Sequence, residues 1–303
     1  MRRLAVAALG LGLVAGAAGS VLTAPASLPP ETLAALAAHP ADATHGEAVF
    51  WAGGCASCHA APGVAPSGPL EPRLILSGGR RFATPFGTFV APNVSMDPEQ
   101  GIGGWTQAQF AGALLLGVSP EGAHYYPAFP YATYARATPQ DVADLWAFWQ
   151  GLPADATPSQ PHDLGFPFSI RRAVGVWKLL NLNADPVIAV GDDPVLQRGA
   201  YLVEALAHCA ECHTPRDALG GLNTAAWMAG GPNPSGEGRI PALPPQGWSA
   251  QDIANYLQSG FTPSFDVVGG EMADVVANIS RIAPEDRTAI AAYVMAVRSS
   301  PSP

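Results

Sequence analysis

The pentapeptide Cys-x-x-Cys-His occurs twice in this chain, at residues 55–59 and 209–213. The two copies contain all 4 cysteines of the sequence. In this motif the two thiols form thioether bonds to a porphyrin, and the adjacent histidine binds the iron. We therefore expect two covalently bound haem c groups. The predicted attachment residues are Cys55 and Cys58 for the first haem and Cys209 and Cys212 for the second, with His59 and His213 as the proximal iron ligands.

Other uses of the cysteines fit the sequence less well. A structural zinc site needs four ligands close in space, whereas these two pairs are far apart in the chain and each is followed by a histidine. A thioredoxin-like redox motif needs a strand–helix–strand context, and the chain has few strand-like runs. The cysteine count allows disulfides, but it leaves no further cysteine from which to build a disulfide framework.

The sequence around the motifs repeats, which indicates two copies of one structural unit. Residues 105–117 align without a gap with residues 248–260, and the shared positions include tryptophan, a hydroxyl residue, alanine, leucine and glycine. Thr106 and Ser249 are predicted helix N-caps, and Gly117 and Gly260 are predicted C-terminal stops. Each segment should therefore form a short helix with one apolar stripe.

Further helices are predicted on both sides of each motif. Residues 47–51 and 200–206 precede the two motifs, and we expect these helices to open at Gly46 and Gly199. A last helix in each half should start at Pro139 and at Pro284, because proline and acidic residues favour the first turn. The resulting order is helix, motif, long loop, helix, ligand loop, helix, and it resembles the cytochrome c fold.

The predicted fold is all-α, with two tandem cytochrome c-like domains, each of a few helices around one covalent haem. Residues 27–151 should form the first domain and residues 197–300 the second. Residues 152–196 belong to neither repeat, and we interpret them as a connector packed across both. Residues 1–26 combine a basic start with an apolar run, which predicts a signal peptide or an N-terminal membrane anchor.

The two halves differ at the position of the sixth iron ligand. Methionine opposite histidine is a common ligand pair in electron-carrying haems, and Met272 lies in the loop before the last helix of the second half. We predict Met272 as the sixth ligand of the second haem. The ungapped alignment places Phe129 at the same position of the first half. The sixth ligand of the first haem could be His124 or Met96, or the position could be open or filled by another group.

Composition narrows the classes of partner. The formal net charge of −9 argues against nucleic acid, which requires a basic face. An acidic surface suits docking to a basic patch on a redox partner, although it also serves simple solubility. The high content of glycine (33) and proline (31) fits short helices joined by long irregular loops.

Several runs resemble the dihaem c-type cytochromes related to the cytochrome subunits of membrane-bound alcohol and sugar dehydrogenases. They are residues 84–93, 101–105, 126–131, 208–216 and 272–276. The resemblance implies electron transfer from a periplasmic dehydrogenase toward quinone, another cytochrome or an oxidase, and it supports Met272 as a ligand. Three-haem members of that group carry a third Cys-x-x-Cys-His motif and usually a methionine where this chain has Phe129. The missing third motif argues against a direct quinone-reducing role, and Phe129 leaves the spin state and potential of the first haem open.

Two functions follow from these observations. The first is a dihaem cytochrome c that carries electrons on the periplasmic side of the bacterial inner membrane, either anchored or released after cleavage, with no substrate chemistry of its own. The alternative is a haem enzyme or sensor in which the first haem has an open or exchangeable distal site. A spectrum of the purified protein separates them, because an open haem is high-spin and binds carbon monoxide.

Overall fold

The computed structural model describes residues 19–233 and 238–297. This described part is mostly helical, with 44% of its residues in helices and little sheet. Among the described residues, no helix combines the length and the apolar character needed to cross a bilayer. Of the predicted signal or anchor segment, residues 1–18 lie outside the described residues.

The helices of the first half lie on both sides of the first motif. They are α1 Pro30–Ala38, α2 Ala43–Ala52, α3 Cys55–His59, α4 Leu70–Leu74, α5 Gln107–Leu116, α6 Tyr131–Tyr134 and α7 Pro139–Trp149. A 3₁₀ turn at Arg171–Ala173 leads into α8, Val174–Asn181, within the connector.

The helices of the second half follow the same order around the second motif. They are α9 Pro194–Tyr201, which continues as a π-helical turn at Leu202–Leu206, then α10 Ala210–His213, a 3₁₀ turn at Thr224–Ala226, α11 Ala250–Ser259, α12 Met272–Ile279 and α13 Pro284–Val297. Two antiparallel hairpins interrupt the predicted all-helical pattern: β1 Arg81–Thr84 with β2 Gly87–Val90, and β3 Gly231–Pro232 with β4 Arg239–Ile240.

The structure confirms the predicted caps and stops of α5 and α11. Thr106 and Ser249 each form a capping box, in which the hydroxyl accepts from the N3 backbone and the N3 side chain accepts from the cap. Gly117 and Gly260 end the two helices with φ values of 59° and 74°, a left-handed conformation that glycine adopts without a steric penalty.

Gly46 and Gly199 do not open helices, and in this respect the sequence prediction is wrong. Both lie inside helices, α2 and α9, at the points where these cross the last helix of their half. A Cβ atom on Gly46 would lie 1.9 Å from the carbonyl oxygen of Asp144, and one on Gly199 would lie 2.1 Å from that of Ala289. Both glycines are therefore required by close helix packing.

A π-helical turn accounts for a difference in length between the halves. The segment from Gly199 to Cys209 is one residue longer than the segment from Gly46 to Cys55. The turn at Leu202–Leu206 takes up that residue, because a π-helix inserts one residue into an otherwise α-helical path. Helix α9 can therefore cross α13 as α2 crosses α7 and still place the second motif in an equivalent position.

Aromatic side chains fill much of the core of the first half. Phe50 on α2 contacts Trp149 on α7 with ring centroids 5.5 Å apart, and Phe110 on α5 contacts Trp146 at 4.9 Å. The second half has smaller apolar residues at its centre, including Val203, Ile253 and Ile290, all buried. Each core packs the helix before a motif against the last helix of its half.

The connector contacts both halves. Asp163 forms a β-bridge with Thr88 at the end of the first hairpin. Further along, the Nζ atom of Lys178 on α8 donates to the carbonyl oxygens of Leu116 and Gly117, at 2.6 and 2.7 Å. The backbone N–H of Val187 then donates to the Glu204 carboxylate of the second half at 2.6 Å.

Candidate haem sites

Each Cys-x-x-Cys-His motif forms one short helical segment. Cys55 and Cys58 lie one turn apart on α3. Cys209 is the N-cap of α10 and Cys212 lies one turn later in that helix. Both thiols of each pair therefore project from the same side of their helix. The residue before each pair is left-handed: Gly54 has a φ of 64° and His208 a φ of 41°. All four thiols are free of disulfide bonds.

The two proximal histidines are oriented in the same way. Nδ1 of His59 lies 2.9 Å from the carbonyl oxygen of Pro92, and Nδ1 of His213 lies 2.8 Å from that of Pro241. A carbonyl only accepts hydrogen bonds, so Nδ1 carries the proton and Nε2 keeps its lone pair. Burial lowers the pKa of both rings, which favours the neutral form that binds a metal. This arrangement is typical of an iron-ligating histidine.

The four thiols lie in an apolar environment. Desolvation raises the pKa of Cys55 and Cys209 to about 12 and that of Cys58 and Cys212 to about 11. The thiolate is the form that ligates metals, whereas a thioether to a porphyrin carries no charge and tolerates this apolar environment. The motif geometry, the free Nε2 atoms and the neutral thiols all fit covalent haem c.

One other group of side chains within the described residues has the spacing to hold a metal ion. It consists of His45, Asp141 and Asp144, where α2 meets α7. Nδ1 of His45 already lies 2.8 Å from Asp144. Nε2 of His39 lies 2.8 Å from the same carboxylate. These contacts hold the N-terminal helices on α7.

The two predicted distal loops have the same backbone geometry. A β-bridge joins Val118 to His124 in the first loop, and the corresponding bridge joins Phe261 to Val267 in the second. The next residue in each loop then donates its N–H to the C-terminal glycine of the preceding helix, at 2.7 and 2.8 Å. The ungapped alignment therefore holds in three dimensions as far as Tyr125 and Val268, four residues before Phe129 and Met272.

The structure places these two residues in different surroundings. Met272 is the first residue of α12 and packs partly buried against the core. Phe129 lies among aromatic rings, 5.9 Å from the centroids of both Tyr125 and Tyr134. The Tyr134 hydroxyl donates to the carbonyl oxygen of Gly53, just before the first motif, at 2.7 Å. Phe129 is thus connected to the first motif through an aromatic contact.

His124 lies against the connector. Its side chain is buried, with Nε2 2.9 Å from the carbonyl oxygen of Thr23, and a Cβ atom on Gly175 of α8 would lie 3.0 Å from that nitrogen. Its Nδ1 is buried without a hydrogen-bond partner. Met96, the other candidate, donates its backbone N–H to Pro153 at 3.3 Å and packs on the core.

The two motifs lie next to each other, which the sequence did not indicate. His208 directly precedes the second motif, and its Nε2 atom lies 3.3 Å from the carbonyl oxygen of Gly53, which is two residues before the first motif. Thr133 of the first half donates to Glu211 within the second motif at 2.8 Å. In return, Asn278 of the second half donates to Ser57 within the first motif at 2.6 Å. Such contacts between distant parts of the chain leave no local sequence signal.

The cytochrome c family model matches residues 196–298. The chain is 55% identical over 299 residues to a protein of Cereibacter sphaeroides described as "Diheme cytochrome c-type", and the match covers 98% of this chain and 99% of that one.

More distant relatives are described as subunits of dehydrogenases. The chain is 36% identical to the fructose dehydrogenase cytochrome subunit of Gluconobacter japonicus over 86% of this chain and 53% of that protein. It is 34% identical to the cytochrome c subunit of a quinone-linked alcohol dehydrogenase of Gluconobacter oxydans, over 88% and 58% respectively. The chain thus spans somewhat more than half the length of these two relatives.

Proposed function

Because this chain belongs to the dihaem c-type cytochromes, we propose that it carries electrons through two covalently bound haem groups in a single polypeptide. Cys55 and Cys58 attach haem 1, and Cys209 and Cys212 attach haem 2. His59 and His213 bind the two irons through Nε2, and Met272 is the sixth ligand of haem 2. Residues 27–151 and 197–300 are the two haem domains in this proposal, with residues 152–196 as the connector.

The observation that carries the proposal is the matching orientation of the two histidines. Each ring is fixed by a hydrogen bond from Nδ1 to a proline carbonyl oxygen, that of Pro92 or Pro241. These bonds hold Nε2 toward the porphyrin face defined by the adjacent cysteines. A bound haem supplies reversible one-electron chemistry at its iron. The chain holds each iron in a fixed environment, which keeps the structural change on electron transfer small.

The close approach of the two motifs supports exchange of electrons between the haems. The contacts of His208 with Gly53 and of Asn278 with Ser57 join the backbone around one set of attachment residues to that around the other. Each haem is tied to its motif by covalent bonds. Electrons that enter at one haem therefore have a short protein path to the other, which two separate monohaem domains on a flexible tether would lack.

We propose a periplasmic dehydrogenase as the electron donor and a quinone, another cytochrome or an oxidase as the acceptor. The support is that several relatives are cytochrome subunits of dehydrogenases for sugars, sugar acids and alcohols. The acidic surface, with a formal charge of −9, suits steering toward a basic partner. In this proposal the chain works on the periplasmic side of the inner membrane, and residues 1–26 are its signal peptide or anchor.

A second candidate function rests on Phe129. It occupies the loop position that corresponds to Met272, and phenylalanine offers no ligand atom. His124 would have to give up its contact with the Thr23 carbonyl to reach the iron of haem 1, and Met96 would have to leave the core. An open or exchangeable distal site at haem 1 would allow a small ligand to bind, as in a haem enzyme or sensor.

Haem content and redox titration test the proposed function. Mass spectrometry of the secreted protein should show two covalently attached haems, and a potentiometric titration should show two one-electron steps without catalytic turnover of added peroxide. One attached haem would contradict the dihaem assignment. Rapid peroxide turnover together with carbon monoxide binding at haem 1 would favour the second candidate function over the electron carrier.

A further inference from the structure

Helix α12, which begins at Met272, is held by polar contacts to the first Cys-x-x-Cys-His motif. Asn278 lies on this helix and is 1% exposed. Its Nδ2 donates to the hydroxyl of Ser57 at 2.6 Å. Ser57 lies between Cys55 and Cys58, so this bond links the helix of the predicted haem 2 ligand to the attachment segment of haem 1.

A second pair of contacts reaches the same serine. Arg80, from the loop before β1, donates through Nη1 to the Asp274 carboxylate of α12 at 2.8 Å and to the backbone carbonyl of Ser57 at 2.5 Å. The Asp274 side chain is only 18% exposed, so the ion pair is better shielded from water and salt than one on the open surface. Arg80 thus bridges the first motif and the first turn of α12.

Arg73 completes the arrangement by orienting the Asn278 amide. Its guanidinium donates to Oδ1 of Asn278 and, at 3.4 Å, to the carbonyl oxygen of Ala277. The side chain of Arg73 is itself buried. Since Oδ1 accepts from Arg73, Nδ2 is left to donate to Ser57. We call this group of five residues the Ser57 clamp: Ser57, Arg73, Arg80, Asp274 and Asn278.

The end of the loop before Met272, beyond the hydrogen bond of Val268 to Gly260, does little to fix the position of the methionine. It passes through Gly269 and Gly270, both exposed, and a Cβ atom on either would meet no atom within 4 Å. An exposed loop with two glycines and open space around them has few contacts to restrain it. The placement of Met272 therefore depends on what holds the rest of α12.

We propose that the Ser57 clamp positions Met272 over haem 2 by fixing α12 against the attachment motif of haem 1. This inference rests on the proposed function, in which Met272 ligates haem 2. Ser57, Arg80 and Asn278 act through the helix and do not touch the iron. Ligand exchange at haem 2 is then controlled by a side chain inside the motif of the other haem.

The test uses three variants of the secreted dihaem protein: Ser57→Ala, Asn278→Ala and Asp274→Asn. Two properties are measured in the ferric protein, namely the amplitude of the methionine-to-iron absorption band and the rate at which added imidazole abolishes it. Losing one partner of a buried hydrogen bond should favour release of α12, and the expected acceleration is on the order of tenfold. Asp274→Glu, which keeps the charge, should recover part of the wild-type rate.

Matched controls separate positioning from a general loss of stability. Asp286→Asn removes the carboxylate of a similar Arg–Asp pair, Arg198–Asp286, with contacts at 2.7 and 2.8 Å on α13. Ser249→Ala removes a serine hydroxyl that caps α11. Both should leave the band amplitude and the imidazole rate unchanged even if the protein melts at a lower temperature.

Ser57→Ala is the decisive variant, because it changes one hydroxyl and leaves every haem-attachment residue in place. If its band and its imidazole rate match those of the wild type, the clamp does not position Met272 and the proposal is wrong. A wild-type protein with two haems and two redox steps but no methionine band would refute Met272 as a ligand, and the clamp with it, while leaving the electron-carrier function intact.

Discussion

Phe129 and Met272 each lie four residues beyond a backbone N–H that donates to a helix-terminal glycine, in segments that begin with the same β-bridge. The proximal sides of the two sites are also alike, because each histidine donates from Nδ1 to a proline carbonyl oxygen. In the proposed assignment, the difference between the two haem sites lies on the distal side, where Met272 ligates haem 2 and haem 1 has Phe129 at the aligned position.

Replacing Met272 by leucine should abolish the methionine-to-iron absorption of the ferric protein. Leucine keeps a similar apolar volume but has no thioether sulfur, so haem 2 would lose its sixth ligand and its reduction potential should fall. Visible spectra and potentiometry measure both effects. Met295→Leu, on α13, is the matched control and should keep the band; a band that survives Met272→Leu would show that another residue ligates the iron.

The reverse change, Phe129→Met, should add a second methionine ligand. Because the two loops begin with the same bridge and the same hydrogen bond, a thioether at this position should reach the iron of haem 1, and the amplitude of the methionine band should about double. Phe129→Leu serves as the control for loss of the aromatic ring. An unchanged band in Phe129→Met would mean that the first loop does not cover the distal face of haem 1.

Lys178→Met should destabilise the protein by about 1–3 kcal/mol, because it leaves the carbonyl oxygens of Leu116 and Gly117 without their buried donor. Denaturant unfolding measures the change. Leu179→Met, on the exposed side of the same helix, is the control and should cost little. Equal stabilities of the Lys178→Met and Leu179→Met variants would argue against this contact as an anchor of the connector.

The same lysine should also make stability depend on pH. Burial lowers the pKa of Lys178 from 10.5 to about 8, so between these values the unfolded chain binds more protons at this site than the folded one. Stability from this residue therefore rises as pH increases from about 8 to 10.5. The difference in unfolding free energy between wild type and Lys178→Met should grow over that range; a constant difference would contradict the lowered pKa.

Gly46→Ala should destabilise the first half by about 1–3 kcal/mol, since the new Cβ atom would lie 1.9 Å from the backbone oxygen of Asp144. Gly112 on α5 provides the matched control, because a Cβ atom there meets nothing within 4 Å. Gly112→Ala should stabilise by up to about 1 kcal/mol through helix propensity. Thermal and denaturant unfolding measure the stability of both variants. If Gly46→Ala were the more stable of the two, the close crossing at Gly46 would not be the reason for this glycine.

Local signals explain what the sequence predicted correctly. The helix caps at Thr106 and Ser249 and the stops at Gly117 and Gly260 depend on neighbouring residues, and the structure confirms all four. The prediction that Gly46 and Gly199 open helices is wrong, because a glycine marks a helix boundary as readily as a close crossing of two helices. Only the partner helix, brought in from far along the chain, distinguishes the two.

The parts of the site that were not predicted all depend on contacts between distant segments. Pro92 and Pro241 orient the predicted proximal histidines through their backbone carbonyl oxygens. Every residue has such an oxygen, so a sequence pattern cannot show which one a histidine contacts. Ser57 and Asn278 meet because the two halves pack with their motifs adjacent, which the repeat alone does not specify. Phe129 was the exception, since a position in the repeat already indicated that the two distal sides differ.

The most direct test of the account is a reductive titration of the ferric protein that follows the methionine-to-iron band. Two haems with one methionine ligand should give two one-electron steps. The band should have the amplitude expected for one methionine-ligated haem, and it should disappear in only one of the two steps. A band that declines through both steps, or that is absent from the start, would contradict the assignment of Met272 to haem 2 alone.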